Sequence, residues 1–349
     1  MFEIPEWPHS LGPPQTMGVI RQCPEDFIVE EIPRVQPEGE GSHLWLWVEK
    51  RSANTDWVAR ELAGASGCQQ RDVGFAGLKD RHAVTRQWFS IPVTATTVAG
   101  IENAVIDGVR ILDQRLHGRK LKRGTLKGNR FQLRIRDLGG ESGQLNERLE
   151  VVRVKGVPNY FGPQRFGHEG RNVAQGFKLL SANARLKRNK KSIYLSAIRS
   201  FLFNQVLAER VRLGTWNSMM NGDLAMLDGT QSIFLGELPD PDIEDRCKRL
   251  DIHPTGPLPG DGGTQPLAEA AELELAVMRN WPDLQQLLLQ QRVQASRRSL
   301  RLCPAGLEWV FAGGDLELTF ELPAGAYATT VLREILNVAA ADNSHDRNE

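Results

Sequence analysis

Apolar and polar positions alternate along several early stretches of the chain. Ser42 to Lys50 (SHLWLWVEK) is a strongly apolar strand candidate with Trp45 and Trp47 on one face. From Asn54, NTDWVARELAGAS combines an N-cap candidate with apolar Trp57, Val58, Leu62 and Ala65 at helical spacing. Thr85, Gln87 and Phe89 alternate again, and the predicted strand continues to Val93. Arg130 to Arg136 alternates strictly, with Phe131, Leu133 and Ile135 on one side and Arg130, Gln132, Arg134 and Arg136 on the other. That pattern predicts a half-buried strand with a basic outer face.

After about residue 155 the period changes. Ser192 to Arg212 (SIYLSAIRSFLFNQVLAERVR) predicts a long amphipathic helix, and Ala268 to Gln294 supplies one or two more. The Pro- and Gly-rich HPTGPLPGDGG, His253 to Gly263, predicts a loop. Strand character returns in Leu316 to Pro323, followed by a helix from about Ala328 to Asn337 and a polar tail after Ala340 that predicts fraying. Strands, then helices, then strands imply an α+β protein: one sheet domain, interrupted by an inserted helix-rich domain. The boundaries fall at 1–154 for the first part of the sheet domain, 155–303 for the insertion and 304–349 for the return.

Bulk properties narrow the function classes. The chain's 349 residues exceed one usual core, and 40% apolar with 25% charged content fits a globular protein. No run of about 18 apolar residues occurs, so no membrane span is expected. The start, MFEIPEWPHS, has no basic region and does not read as a signal peptide. Cys23, Cys68, Cys247 and Cys303 form no CxxC pair, which suits a reducing cytoplasm. Net charge is zero, yet Arg115 to Arg136 holds nine Lys or Arg and no acid. ARLKRNKK (Ala184 to Lys191) and the group Arg292, Arg297, Arg298 and Arg301 are further basic clusters. Segregated charge of this kind points to a nucleic-acid partner.

Phosphate-loop, dinucleotide, HExxH and GxSxG motifs are absent, so the chemistry must come from carboxylates, bases and aromatics. In GFAGLKDRHAVTRQWFS, residues 74–90, Asp80 stands among Lys79, Arg81 and His82. A carboxylate so placed could be a nucleophile, a general base or half of a surface ion pair, and spacing alone leaves all three open. Thr85 and Gln87 share one face and could hold a polar ring by hydrogen bonds. In LKGNRF, Phe131 could be core or a stacking platform for a base. NYFGPQRFG (Asn159 to Gly167) reads as a rigid, polar-edged loop, and LPAGAYATTVLREIL displays Tyr327 just before a helix. Aromatics among glycines and basic groups are what unstacked bases require.

Taken together and in order, PEDFIVEE, AGLKDRHAVTRQ, KGNRF, KGVPNYFGPQRFG, SAIRSFLFNQ and LPAGAYATTVLRE resemble the signature segments of the TruD family of tRNA pseudouridine synthases. The resemblance spans nearly the whole chain. It implies a pseudouridine-synthase-type, mainly antiparallel sheet domain with a TruD-specific insertion. It also implies conversion of uridine at tRNA position 13 to pseudouridine, with no cofactor and no metal. Asp80 falls on the family's catalytic aspartate, and Phe131 on its stacking phenylalanine. Asn129 matches the asparagine beside the site, while Phe27 and Tyr327 match aromatics flanking the base. Arg21 stands where the family often has lysine; arginine keeps the charge but cannot lose its proton, so an ion pair to Asp80 is the role expected of it. The expected partner is tRNA, with no membrane, no obligate protein partner and a monomeric state in the cytoplasm.

Overall fold

A computed structural model describes residues 3–94 and 97–340; the tail expected to fray lies outside them. The chain divides into two compact units. One comprises Gln15–Ser142, Pro304–Gly325 and the segment from Leu336; the other comprises the segment to Pro14, Gly143–Cys303 and Ala326–Ile335. The expected α+β class is what is found.

In the first unit the described residues form a ten-stranded sheet. Its strands are β1 (Met17–Ile20), β2 (Phe27–Pro33), β3 (His43–Arg51), β4 (Gly74–Phe75), β5 (Val84–Pro92), β6 (Val109–His117), β7 (Leu126–Gly139), β8 (Ala305–Ala312), β9 (Asp315–Pro323) and β10 (Asn337–Ala340). The main order is β8-β9-β7-β2-β5-β3-β6, with β1 joining β7 to β10 and β4 on β5. Pairing is antiparallel except for β2 with β5 and β1 with β10. Alternation explains the layers. Leu44, Leu46 and Val48 of β3 pack with Phe89 and Ile91 against Val58, Ala59 and Leu62 of the helix Thr55–Ser66. Trp45 points the other way, onto Trp88, with ring centroids 6.0 Å apart.

Strand β7 carries the predicted two-faced pattern over a longer span than its alternation alone indicated. Phe131, Leu133 and Ile135 are buried, and the arginines between them face outward. That outer face is charge-compensated: Arg130 pairs with Glu321 at 2.7 Å, Arg134 with Asp315 at 2.8 Å and Arg136 with Asp26 at 2.7 Å. A Cβ on Gly128 would lie 2.3 Å from the Leu322 carbonyl oxygen, so glycine is what lets β7 and β9 close beside Asn129.

The second unit is built around the helix Arg188–Arg212, whose Ile198, Phe201, Leu202, Val206 and Leu207 are buried. Helices Arg171–Ser181, Ala268–Met278 and Pro282–Gln290 surround it, with a four-stranded sheet. Here one expectation fails. His253 to Leu258 is not loop but part of the strand Ile252–Leu258, paired with Asp223–Leu227 and Ser296–Ser299. Its two prolines donate nothing, and side chains make up the bonding. Arg297 Nη2 donates to the Thr255 carbonyl at 2.7 Å, and Thr255 Oγ1 donates to the Leu224 carbonyl at 2.6 Å. The predicted helix near the end stops at Ile335, two residues early, where the chain turns into β10. Among the described residues no helix is long and apolar enough to cross a membrane.

Candidate active site

The segment from Gly77 to Ala83 joins β4 to β5 without regular structure and is held from below by two elements. Thr55, first residue of its helix, accepts the Lys79 backbone N–H at 3.0 Å and donates to Gln87 Oε1 at 3.1 Å. Gln87 Nε2 donates in turn to the Gly77 carbonyl at 3.0 Å. Gln87 thus binds the backbone of the same segment. From the end of β3, fully buried Lys50 donates to the Ala53 carbonyl at 2.7 Å and the Asp80 carbonyl at 2.8 Å. Burial pulls the Lys50 ammonium down to about 8, against the attraction of Asp80.

With its backbone fixed, Asp80 turns its carboxylate outward, 42% exposed, and Oδ2 accepts from Arg21 Nη2 at 3.1 Å. Arg21 follows β1 in the left-handed region, φ +62°, a conformation that costs a non-glycine residue about 1–2 kcal/mol. Its guanidinium lies 4.0 Å from the centroid of the Phe27 ring. Phe27 meets Phe131 edge to face at 6.3 Å, and Phe131 stacks on Phe320 at 5.4 Å. The cross-strand register puts them there: Val29 and Phe320 lie directly opposite Phe131.

Asn129 enters through a buried charge pair. Its Oδ1 accepts from Lys79 Nζ at 2.7 Å, and Lys79 Nζ lies 3.4 Å from Glu31 Oε2. The latter is a contact of charges, since Glu31 Oε2 has no aligned hydrogen-bond partner. Burial pushes the Glu31 carboxyl up and the Lys79 ammonium down, and their mutual attraction opposes both shifts. Lys79 therefore reaches one way to Asn129 while its neighbour Asp80 reaches the other way to Arg21.

Of the six residues singled out in the sequence, Asp80, Arg21, Phe27, Asn129 and Phe131 converge in the sheet unit. Tyr327 belongs to the helical unit, where its hydroxyl accepts from Arg165 Nη2 at 3.3 Å. Sequence reasoning missed Lys50, Glu31 and Thr55. Two had a signal: Lys50 continues the Leu44, Leu46, Val48 face of β3, and Glu31 continues the Phe27, Val29 face of β2. A charge at the end of an apolar face is the mark of a buried, partnered ion. Two cavities, about 530 Å³ beside Arg71, Phe75 and Lys120 and about 510 Å³ beside Leu258, Glu274 and Met278, are lined by none of these six residues.

Comparison with known proteins bears on what this group of side chains does. The family described as tRNA pseudouridine synthase D (TruD) matches residues 9–181 and 171–335. A Methylococcus capsulatus protein named tRNA pseudouridine synthase D is 44% identical over 333 residues, covering 94% of each chain. Its namesake in Stutzerimonas stutzeri is 44% identical, covering 95% of this chain and 96% of its own. That of Hydrogenovibrio crunogenus is 40% identical, also covering 95% of this chain and 96% of its own. A Methanosarcina mazei crystal structure assigned to TruD shares the fold, with a TM-score of 0.72 at 21% identity over 94% of this chain and 95% of that one. On a family match that spans both units, and relatives this similar from end to end, the chain belongs to the TruD family of tRNA pseudouridine synthases.

Proposed function

We propose that the protein converts uridine to pseudouridine in tRNA, at position 13, with Asp80 as the nucleophile and without a cofactor. The observation that carries this reading is the placement of Asp80. Its backbone is fixed by Lys50, its carboxylate is open and paired to Arg21, the Arg21 guanidinium lies on Phe27, which meets Phe131, and its neighbour Lys79 holds Asn129. The tRNA substrate comes from the family and from the names its relatives carry. On the same reading the sheet unit is the catalytic domain and the helical unit the family-specific insertion. The enzyme acts as a cytoplasmic monomer.

The chemistry needs little beyond these groups. The carboxylate attacks uracil C6 or ribose C1′, or the base departs by elimination. In each case the N1–C1′ bond breaks, the uracil turns in place and C5 bonds to C1′; the carboxylate leaves the carbon it attacked, or C2′ regains the proton lost in the elimination, and the C5 proton leaves while N1 takes one up. No group or electron is carried in or out. The detached base must be retained without being locked in one orientation, which favours stacking, worth about 1–3 kcal/mol per base, over a rigid set of hydrogen bonds. Arg21 keeps the Asp80 carboxylate aimed while it waits for a uridine whose extraction from the RNA costs a few kcal/mol.

The test is tritium release from a tRNA transcript labelled at uridine C5. Wild-type protein is expected to release tritium and Asp80→Ala none, and a transcript with cytidine at position 13 is expected to leave the signal at background. Release by the Asp80→Ala protein would remove Asp80 from the centre of the reaction. Undiminished release from the cytidine transcript would move the target elsewhere in the tRNA.

A further inference from the structure

In the helical unit, the stretch Asn159 to Gly167, expected as a loop but holding one helical turn at Pro163–Phe166, brings together two guanidiniums with almost nothing to satisfy them. Arg298 lies 4.2 Å and Arg165 5.2 Å from the centroid of the same ring, Phe161. Each guanidinium has five N–H donors. Against these, Arg298 Nη2 finds Asn159 Oδ1 at 2.6 Å and Arg165 Nη2 finds the Tyr327 hydroxyl at 3.3 Å, while both Nε atoms are buried without a partner. Among the described residues, no carboxylate forms an ion pair with either. Their neighbours are treated differently. Arg210 pairs with Asp223 at 2.9 Å, Arg297 with Glu274 at 2.6 Å, and Arg199 Nη2 reaches two carbonyls and a serine hydroxyl.

Stacking on aromatic rings, Phe203 also lying 5.8 Å from the Arg298 guanidinium, neutralises neither charge. Burial together with the positive charge of Arg165 draws the Arg298 guanidinium down to about 10, the mark of a cation without a counter-ion. The geometry is nevertheless rigid. Asn204 of the helix Arg188–Arg212 accepts from the Phe161 N–H at 2.9 Å and donates to the Phe161 carbonyl at 3.0 Å, and Thr330 Oγ1 donates to the Tyr160 carbonyl at 3.1 Å. A built, half-buried pair of forks with free donors and no anion is an anion site.

We propose that Arg165 and Arg298 form a subsite for one backbone phosphate of the RNA. That the anion belongs to RNA rests on the tRNA substrate of the proposed function. The planar forks suit the paired non-bridging oxygens of a phosphodiester, and Phe161 sets the spacing between them.

Ethylation interference on a tRNA transcript tests this, since each ethylated phosphate loses its charge singly. Full-length wild type, Arg165→Gln and Arg298→Lys would each select bound from unbound RNA, with melting curves checking that the variants fold. Wild-type binding is expected to weaken about tenfold on ethylation of one particular phosphate. That single interference should vanish in Arg165→Gln and diminish in Arg298→Lys, with every other interference retained. The same pattern in all three proteins would overturn the subsite, and Arg165→Gln alone suffices if the Arg298 variant does not fold. An interference lost in Arg165→Gln, together with tritium release by Asp80→Ala, would uphold the anion site and overturn the nucleophile, so the two readings fail separately.

Discussion

Lys50 shows how much the placement of Asp80 depends on a buried side chain distant in the chain. It holds the Asp80 carbonyl at 2.8 Å from a fully buried position and carries a pKa of about 8. An unfolded lysine titrates near 10.4. Between these values the folded protein binds fewer protons than the unfolded chain, so this group's contribution to stability rises as pH climbs from about 8 to 10.4. Below pH 8 the charge burden is fully present, on the order of 3 kcal/mol. Lys50→Met removes both burden and tether. The stability of wild type relative to this variant, read from urea midpoints, is expected to climb between pH 7.5 and pH 10. Turnover by the variant should fall by roughly 10–100-fold with little change in tRNA affinity, because the proposed nucleophile is misplaced and not deleted. A pH-independent stability difference would sink the burial argument; unchanged turnover would sink the tether.

At the scale of elements, the site exists because strands of very different sequence position are brought into register. Gly128 permits the closure of β7 on β9, and a Gly128→Ala variant should lose about 1–3 kcal/mol from overpacking against the Leu322 carbonyl. Its activity should fall further than its stability, since Asn129 is the next residue; a variant that melts like wild type would show that the strands can part cheaply. In the helical unit Asn204→Ala strands the buried N–H and carbonyl of Phe161, a loss of about 1–3 kcal/mol per group by melting, and should loosen the loop that carries Arg165. These elements differ in how far the sequence exposed them. Strict alternation made β7 legible and a strongly apolar run made β3 so, and 3.6-residue periodicity did the same for all but the first turn of Arg188–Arg212. The strand Ile252–Leu258 was hidden because its prolines signal a turn, while Arg297 supplies hydrogen bonds from 42 residues away. Five candidate residues were named by resemblance and found gathered. Spacing alone left Asp80 as a possible surface pair, because its tether and its partner come from Lys50 and Arg21, distant in the chain.

For the whole molecule, the three basic clusters that suggested nucleic acid turn out to be different things. The 115–136 stretch spends Arg115, Arg123, Arg130, Arg134 and Arg136 on carboxylates within its own unit. Arg297 and Arg301 are buried in structural networks. The second cluster keeps throughout the character first read from it: Arg185, Lys187, Arg188, Lys190 and Lys191 are all exposed. Three of them occupy the first turn of the helix Arg188–Arg212, which holds no acidic residue there. Cations at a helix N-terminus are disfavoured by its dipole, each by about 0.3–1 kcal/mol. A bound phosphate would reverse that sign, since the helix end and the side chains would then attract the same anion. Replacing all five by glutamine should therefore make the helix no less stable while weakening tRNA binding. The slope of log affinity against log salt should shrink by about 0.7–0.9 for each phosphate that the protein no longer neutralises. Turnover at saturating tRNA should stay near wild type, because none of the five belongs to the Asp80 group. An unaltered salt slope would mean that the cluster is a solvated face, and that the phosphates are gripped elsewhere.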